Sequence, residues 1–381
     1  MVNRNVILLS LASFFTDSAT AMVVSVLPIY VVFHLGANYN QLGVIVGTAT
    51  LVSYLLRVIF GLWSDRLGIS KPFLLVGYGL SAVAKPLFAF TDDWKEVAFL
   101  RGIDRLGKAI RSAPRDRLLS MSGDSGKTTQ GRIFGFHKTF DVAGEFLGAS
   151  IALLFLTLLG NTTEVYRQLF LMSAIPGLLA VVTVAFVKDI KTAPKSKFTL
   201  SEGDKKLLFP VLLMGSVPLF VWTLPFFSTV AVDYRYIEES IIPLAYLLTQ
   251  GVQVVFGYPV GCLIDKWGTE KVFLISLLSA AVGLYLLIIG GVWLAFPLLG
   301  VHMVSFFTAA RSFIGQMATD RGTVFGIFYT TYGVTGAIGS LIVGFLINRF
   351  GVIPAALYTI GGLFIVSMLT PWVIGRVNNP A

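Results

Sequence analysis

Four carboxylates of this chain interrupt stretches of sequence that are otherwise apolar. They are Asp17, Asp104, Asp141 and Glu145, and all of them lie in the amino-terminal half. A charge held in an apolar environment is costly unless it binds a proton, binds a cation or pairs with another residue. We therefore predict that Asp17, Asp141 and Glu145 bind protons, and we place Asp17 first because its neighbours in sequence are the most apolar.

The spacing around Asp141 admits more than one chemistry. His137, Asp141 and Glu145 recur at intervals of four residues, which places them on one face of a helix. Together with Asp17 they would supply imidazole and carboxylate ligands of the kind that bind divalent metal ions. The adjacent Lys138 would repel a metal ion, and it could instead form a salt bridge with Asp141. Proton binding, a structural salt bridge and metal ligation all stay open at this point.

A second cluster is basic. Arg101, Asp104, Arg105 and Lys108 also share one helical face, where the cations outnumber the carboxylate. Asp104 could simply neutralise one arginine, but the excess of cations favours a functional surface. With Arg57, Arg101, Arg105 and Lys138 as attracting groups, this half of the chain could bind an organic anion.

The carboxyl-terminal half offers aromatic and amide side chains in place of charges. Trp222, Gln250 and Gln253 are the members of this set that we predict to line a cavity for apolar or amphipathic molecules. Lipid-facing phenylalanines would produce a similar composition.

The composition of the chain predicts the secondary-structure elements that position these residues. Of 381 residues, 55% are hydrophobic and only 13% are charged, and the mean hydropathy is +0.81. This is typical of a polytopic membrane protein. About twelve apolar windows, the first over 6–33 and the last over 352–375, predict an all-α membrane protein. Catalytic and phosphate-binding signatures are missing, so we expect neither an enzyme nor a cofactor.

Charge predicts orientation and partners. The net charge of +9 is concentrated on one side of the predicted spans, where the end of the fourth span that carries Arg111, Arg115 and Arg117 is counted as its cytoplasmic mouth. This distribution predicts that both termini are cytoplasmic. It also explains the excess of basic residues without nucleic-acid binding. The lysine-rich stretch 191–206 predicts a linker between six-helix bundles at 1–190 and 207–381. We expect a monomer whose partners are the lipid bilayer, protons and a small-molecule substrate.

A duplicated motif supports two related halves. Gly61-Leu-Trp-Ser-Asp65-Arg66-Leu-Gly68-Ile-Ser-Lys71 is repeated 200 residues later as Gly261-Cys-Leu-Ile-Asp265-Lys266-Trp-Gly268-Thr-Glu-Lys271. The pattern resembles motif A of the major facilitator superfamily, and the run from Arg101 to Lys108 resembles motif B of its proton-coupled members. By this resemblance the motif forms a cytoplasmic gate. The predicted gate residues are Gly61, Asp65, Arg66, Gly68, Lys71, Asp265, Lys266 and Gly268.

The resemblance implies a secondary transporter that works by alternating access. Gly144 and Gly148 occupy the place of motif C of proton-driven antiporters, although the glycine-proline core of that motif is missing. We expect proton-coupled export of small amphipathic compounds across a prokaryotic inner membrane. The alternatives are uptake or exchange of an organic anion, and transport of a divalent metal ion or a metal chelate.

The gate hypothesis makes a prediction for Asp65→Asn. Loss of the carboxylate should weaken the cytoplasmic gate, slow transport and leave expression near normal. Asp265→Asn should act in the same direction, with an equal or smaller effect. Labelling of single cysteines introduced on the cytoplasmic side would report the change, and unchanged accessibility in Asp65→Asn would contradict the gate.

Overall fold

The computed structural model describes residues 3–122, 130–191, 202–318 and 321–378. Within these ranges the chain is helical and contains no strand, which confirms the all-α prediction. The helices are α1 Arg4–Val24, α2 Leu27–Ile29, α3 Tyr39–Leu67, α4 Lys71–Leu87, α5 Trp94–Met121, α6 Gln130–Leu159, α7 Thr163–Met172, α8 Ala174–Ala185, α9 Glu202–Lys205, α10 Leu208–Ser216, α11 Leu224–Asp233, α12 Ile242–Trp267, α13 Thr269–Ile288, α14 Val292–Met317, α15 Arg321–Phe350 and α16 Val352–Asn378.

Eleven helical stretches of the described chain are long and apolar enough to cross a membrane. The first, Arg4–His34, combines α1 and α2 with a π-helical turn at Tyr30–His34. Helix α5 is absent from this set because it is rich in charge, yet its 28 residues extend for about 42 Å. It is therefore long enough to be a twelfth span.

The chain forms two compact units. The first comprises Met1–Ala37, Thr48–Ser196 and Glu239–Leu244, and the second comprises Asn38–Gly47, Lys197–Glu238 and Ala245–Ala381. The predicted domain boundaries at 190 and 207 stay a prediction, since most of the linker lies outside the described residues.

Each unit has its own apolar core. In the first unit, fully buried side chains of α1, α4, α5 and α8 pack together around Leu9, Tyr78 and Leu118. In the second, Phe306 of α14 lies 5.8 Å from the ring of Phe273 and 6.2 Å from that of Phe328. These cores hold the helices whose polar faces are considered below.

In both copies of the duplicated motif, a helix ends at a glycine with positive φ. Helix α3 ends at Leu67, and Gly68 has a φ of +66°. Helix α12 ends at Trp267, and Gly268 has a φ of +87°. Positive φ favours glycine strongly, which explains why a glycine occurs at the same place in both copies.

An unpredicted carboxylate holds the first of these turns. Asp189, which follows α8, accepts hydrogen bonds of 3.1 and 3.2 Å from the backbone N–H groups of Ser70 and Lys71 at the start of α4. The Nζ atom of Lys71 also donates a 2.8 Å hydrogen bond to the carbonyl of Ala185. A carboxylate at a helix N-terminus is favourable. The side chains of Asp65 and Asp265 lie outside the described part, so their gate role stays a prediction.

Helices α1 and α6 are in backbone contact. A Cβ atom at Gly144 would overlap the carbonyl oxygen of Phe14, and one at Gly148 would overlap that of Ser18. Small residues at this interval allow membrane helices to approach closely. The contact brings Asp17 of α1 next to the polar face of α6.

This packing predicts that Gly148→Ala destabilises the protein. The added methyl group has no space, and overpacking of this kind costs about 1–3 kcal/mol. Gly79→Ala in α4 is the matched control, because no heavy atom lies within 4 Å of its added Cβ. Thermal unfolding in detergent should show a lower midpoint for Gly148→Ala alone, and equal midpoints would contradict the close contact.

Candidate functional site

Asp104 is the centre of a buried ion cluster in the first unit. Its side chain is 1% exposed and lies 3.1 Å from Nζ of Lys85, 3.1 Å from Nη1 of Arg101 and 2.6 Å from Nη2 of Arg105. Ser81 donates a further 3.1 Å hydrogen bond to Oδ1. One carboxylate is thus shared by three cations, one of which, Lys85, comes from α4.

Arg111 joins the same cluster through Ser81. It is 3% exposed, donates a 2.8 Å hydrogen bond to Oγ of Ser81, and lies over the ring of Tyr78 at 4.7 Å. Arg111 was counted with the cytoplasmic mouth of its helix, and its side chain is buried against α4. Helix α5 continues to Met121, and the close approach of Gly77 and Gly107 brings α4 near enough for these contacts.

The three predicted proton-binding carboxylates lie close together. Asp17 of α1 interacts electrostatically with Asp141, and Glu145 interacts with both of them. Asp17 is partly buried and has no hydrogen bond or ion pair among the described residues. Oδ1 of Asp141 is buried without a hydrogen bond in the described chain. We call Asp17, Asp141 and Glu145 the carboxylate cluster.

Cations of α5 face this cluster. Asp17 interacts with Lys108, Arg111 and Arg115. Arg115 also donates a 3.1 Å hydrogen bond to Oγ of Ser13 and pairs with Asp116 at 2.9 Å. Arg115 had also been counted with the cytoplasmic mouth of this helix. The site therefore contains alternating charges contributed by α1, α5 and α6.

His137 supports α6 from within the protein. It is 3% exposed, and its ring nitrogens lie 3.4 Å from Oγ of Ser10 and 3.5 Å from Oγ of Ser13. Asp141 approaches Nε2 at 3.4 Å. Lys138 is exposed and makes no ion pair with Asp141, so the predicted salt bridge between them was wrong.

The metal alternative gains no support from this geometry. In the described ranges no group of three or more His, Cys, Asp or Glu side chains is placed to hold a metal ion.

The predicted residues of the second unit differ in burial, since Trp222 is buried whereas Gln250 and Gln253 are only partly buried. Trp222 is 1% exposed, and its Nε1 atom has no hydrogen-bond partner in the described chain. Gln253 donates to Oε1 of Gln250, and Nε2 of Gln250 lies 3.3 Å from the hydroxyl of Tyr246. The two amides therefore bind each other on α12.

A polar contact that sequence reasoning missed closes one end of the first unit. Nε2 of His34 lies 3.0 Å from Oε2 of Glu239, and Nδ1 lies 3.1 Å from Oγ1 of Thr163. Tyr166 stacks near His34 and reaches Glu239 at 3.5 Å. The partners are 205 residues apart, so no local pattern connects them.

The sequence matches the family model described as Major Facilitator Superfamily over residues 9–237 and 223–381. The chain belongs to the major facilitator superfamily. This confirms the resemblance seen in the duplicated motif, and with it an integral membrane transporter that is not an enzyme.

Relatives within the superfamily cover nearly the whole chain. An uncharacterized MFS-type transporter of Methanocaldococcus jannaschii is 30% identical over 361 residues, which is 91% of this chain and 89% of the relative. The uncharacterized MFS-type transporter YfnC of Bacillus subtilis is 23% identical over 367 residues, which is 91% and 87% of the two chains.

Solved structures of the superfamily share the fold. A POT family transporter in complex with 5-aminolevulinic acid superposes with a TM-score of 0.80 at 13% identity, covering 99% of this chain and 96% of that chain. The nucleoside transporter NupG superposes with a TM-score of 0.76 at 14% identity, covering 98% and 99%. At this identity the likeness concerns the fold alone.

The ion cluster predicts that Asp104→Asn is strongly destabilising. The substitution leaves three cations around a neutral amide, and breaking a buried pair in this way costs about 3–5 kcal/mol. Asp92→Asn is the control, since Asp92 pairs with Arg167 but is 81% exposed. Chemical unfolding in detergent should separate the two variants, and similar stabilities would contradict the central role of Asp104.

Proposed function

We propose that this transporter is proton-coupled and that the carboxylate cluster binds the coupling proton. One observation carries the proposal: α6 packs against the backbone of α1 on either side of Asp17, at Phe14 and Ser18, and Asp17 interacts electrostatically with Asp141 and Glu145 of α6. Carboxylates that repel one another away from bulk water can share a proton. The absence of a hydrogen bond to Asp17 in the described chain is consistent with a group that must gain and lose a proton.

The cations of α5 would link the proton to the transport cycle. With the cluster ionised, Asp17 attracts Lys108 and Arg115. When Asp17 binds a proton, this attraction is lost, and the cations become available to another anion or to water. Protonation of Asp17 would thereby weaken the attraction between α1 and α5. A contact that differs between two protonation states can shift a conformational equilibrium.

We further propose export of small amphipathic compounds in exchange for protons. The close packing of Gly144 and Gly148 against α1, beside the carboxylate cluster, supports an antiporter-like arrangement. In the second unit, the partly buried amides of Gln250 and Gln253 on α12 lie beside the hydroxyl of Tyr246, which supports amphipathic substrates. From the sequence arguments above, we also propose that the duplicated motif forms a cytoplasmic gate, that both termini are cytoplasmic and that the protein is a monomer. A location in a prokaryotic plasma membrane is consistent with the occurrence of relatives in bacteria and archaea.

Vesicle transport tests the coupling. Reconstituted protein should move lucifer yellow, an anionic amphipathic dye, or rhodamine 6G, a cationic one, when a pH gradient is imposed. Asp17→Asn, Asp141→Asn or Glu145→Gln should abolish accumulation driven by the gradient, because no proton is carried. Exchange of the same dye without a gradient should continue, since it needs no net change in protonation.

Glu164→Gln is the control, because Glu164 is an exposed carboxylate at the start of α7. It should behave as the wild type does. Gradient-driven accumulation that survives all three cluster substitutions would refute proton binding there. Failure of the wild type to move either dye would refute the proposal of amphipathic substrates.

A further inference from the structure

Helix α5 carries more positive charge than its own carboxylates can balance. Between Arg101 and Asp116 it contains five cations and two carboxylates. Asp104 is shared by Arg101, Arg105 and Lys85 of α4. Asp116 pairs with Arg115, and Arg111 is bound through Ser81.

Lys108 is left without a close counterion. It is partly buried and has no carboxylate within ion-pair distance in the described chain. The nearby charges include Arg105, Arg57 and Arg111, which repel it, and Asp17 and Glu145, which attract it from beyond ion-pair distance. A buried cation with cationic neighbours is costly unless an anion approaches.

Arg57 brings a cation from a second helix. It lies on α3, is partly buried, and its guanidinium group lies over the ring of Tyr54 at 5.0 Å. Arg105 is also buried, and its Nε and Nη2 donors are both directed to Asp104. Arg105 and Lys108 are three residues apart on α5, and α3 packs against α5 where a Cβ atom at Gly61 would lie 3.0 Å from that of Ala113. Arg57, one turn before Gly61, therefore adds its charge to those of Arg105 and Lys108 beside the ring of Tyr54.

We propose that Arg57 and Lys108, supported by the positive charge of Arg105, bind the anionic group of the substrate, so that the transported molecule is an amphipathic organic anion carrying a carboxylate or a phosphate. The inference rests on the proposed transport function and narrows its substrate class. Guanidinium and ammonium groups are the donors that bind such oxygens most strongly. Tyr54 would contact the apolar part of the molecule.

The same chemistry would suit the phosphate of an anionic lipid, but the position of Lys108 argues against one. Lys108 is near the middle of the 28-residue helix α5, about 20 Å from either end. Lipid headgroups lie at the membrane surfaces, well away from that depth. A soluble substrate anion is therefore the favoured occupant.

Asp17 would compete with the substrate for Lys108. An ionised Asp17 attracts Lys108 and partly neutralises the positive charge that would bind the substrate anion. Neutralising Asp17 should therefore strengthen anion binding, although the same substitution should abolish proton coupling. A purely structural role for Lys108 would not produce this opposite response.

The test measures thermal stabilisation of the protein in phosphatidylcholine nanodiscs by phenylphosphonate, with benzamide as a neutral probe of similar size. Phenylphosphonate should stabilise the wild type and benzamide should not. Lys108→Gln and Arg57→Gln should weaken the apparent affinity at least roughly tenfold, as expected for loss of one charge-assisted hydrogen bond. Lys108→Arg should retain binding, and Asp17→Asn should increase it. Arg349→Gln, an exposed cation at the end of α15, is the control.

Several results would overturn the inference. These are equal stabilisation by both probes, no stabilisation by phenylphosphonate, or the same affinity in Lys108→Gln and Arg349→Gln. Nanodiscs that contain phosphatidylglycerol distinguish the source of the anion: if that lipid stabilises the wild type and abolishes the effect of phenylphosphonate, the site binds a headgroup and not a substrate. Binding of the anion needs no pH gradient. If the protein binds the anion but shows no proton-driven transport, the proposed proton coupling is refuted and the proposed substrate class is not.

Discussion

The ion cluster around Asp104 is the constraint on which much of the first unit depends. Helix α5 carries too many cations to cross a membrane by itself, because each isolated charge near the centre costs about 3 kcal/mol. Asp104 contacts Lys85, Arg101 and Arg105 directly and Arg111 through Ser81. The cluster therefore explains how a charged helix is accommodated, and it also leaves Lys108 available for another partner.

Close helix packing places the remaining charges. Glycines let α6 approach the backbone of α1 and let α4 approach that of α5. The first contact sets Asp17 beside Asp141 and Glu145, and the second brings Tyr78 and Ser81 to Arg111. The carboxylate cluster and the cations of α5 thus face each other within one unit. A proton and a substrate anion would alter the same set of charges, which provides a physical basis for coupling them.

The sequence predicted the helical spans well because hydropathy and helical periodicity are local properties. It predicted less well which side chains contact one another. Lys138 follows His137 directly, and a salt bridge to Asp141 was a reasonable expectation, yet Asp141 approaches His137 and Lys138 is exposed. Arg111 was expected at the cytoplasmic end of its span because charge usually marks such an end, and the structure shows that it is buried there through contacts with Ser81 and Tyr78 of α4.

By itself, the sequence determined the class of protein, the superfamily resemblance, the duplicated turn and the helix faces on which the charges lie. Only the tertiary structure decided which faces meet. Lys85 reaches Asp104, Asp189 caps α4 from 118 residues away, and His34 meets Glu239. These contacts join residues whose separation along the chain carries no periodic signal, because they depend on how closely neighbouring helix backbones can approach.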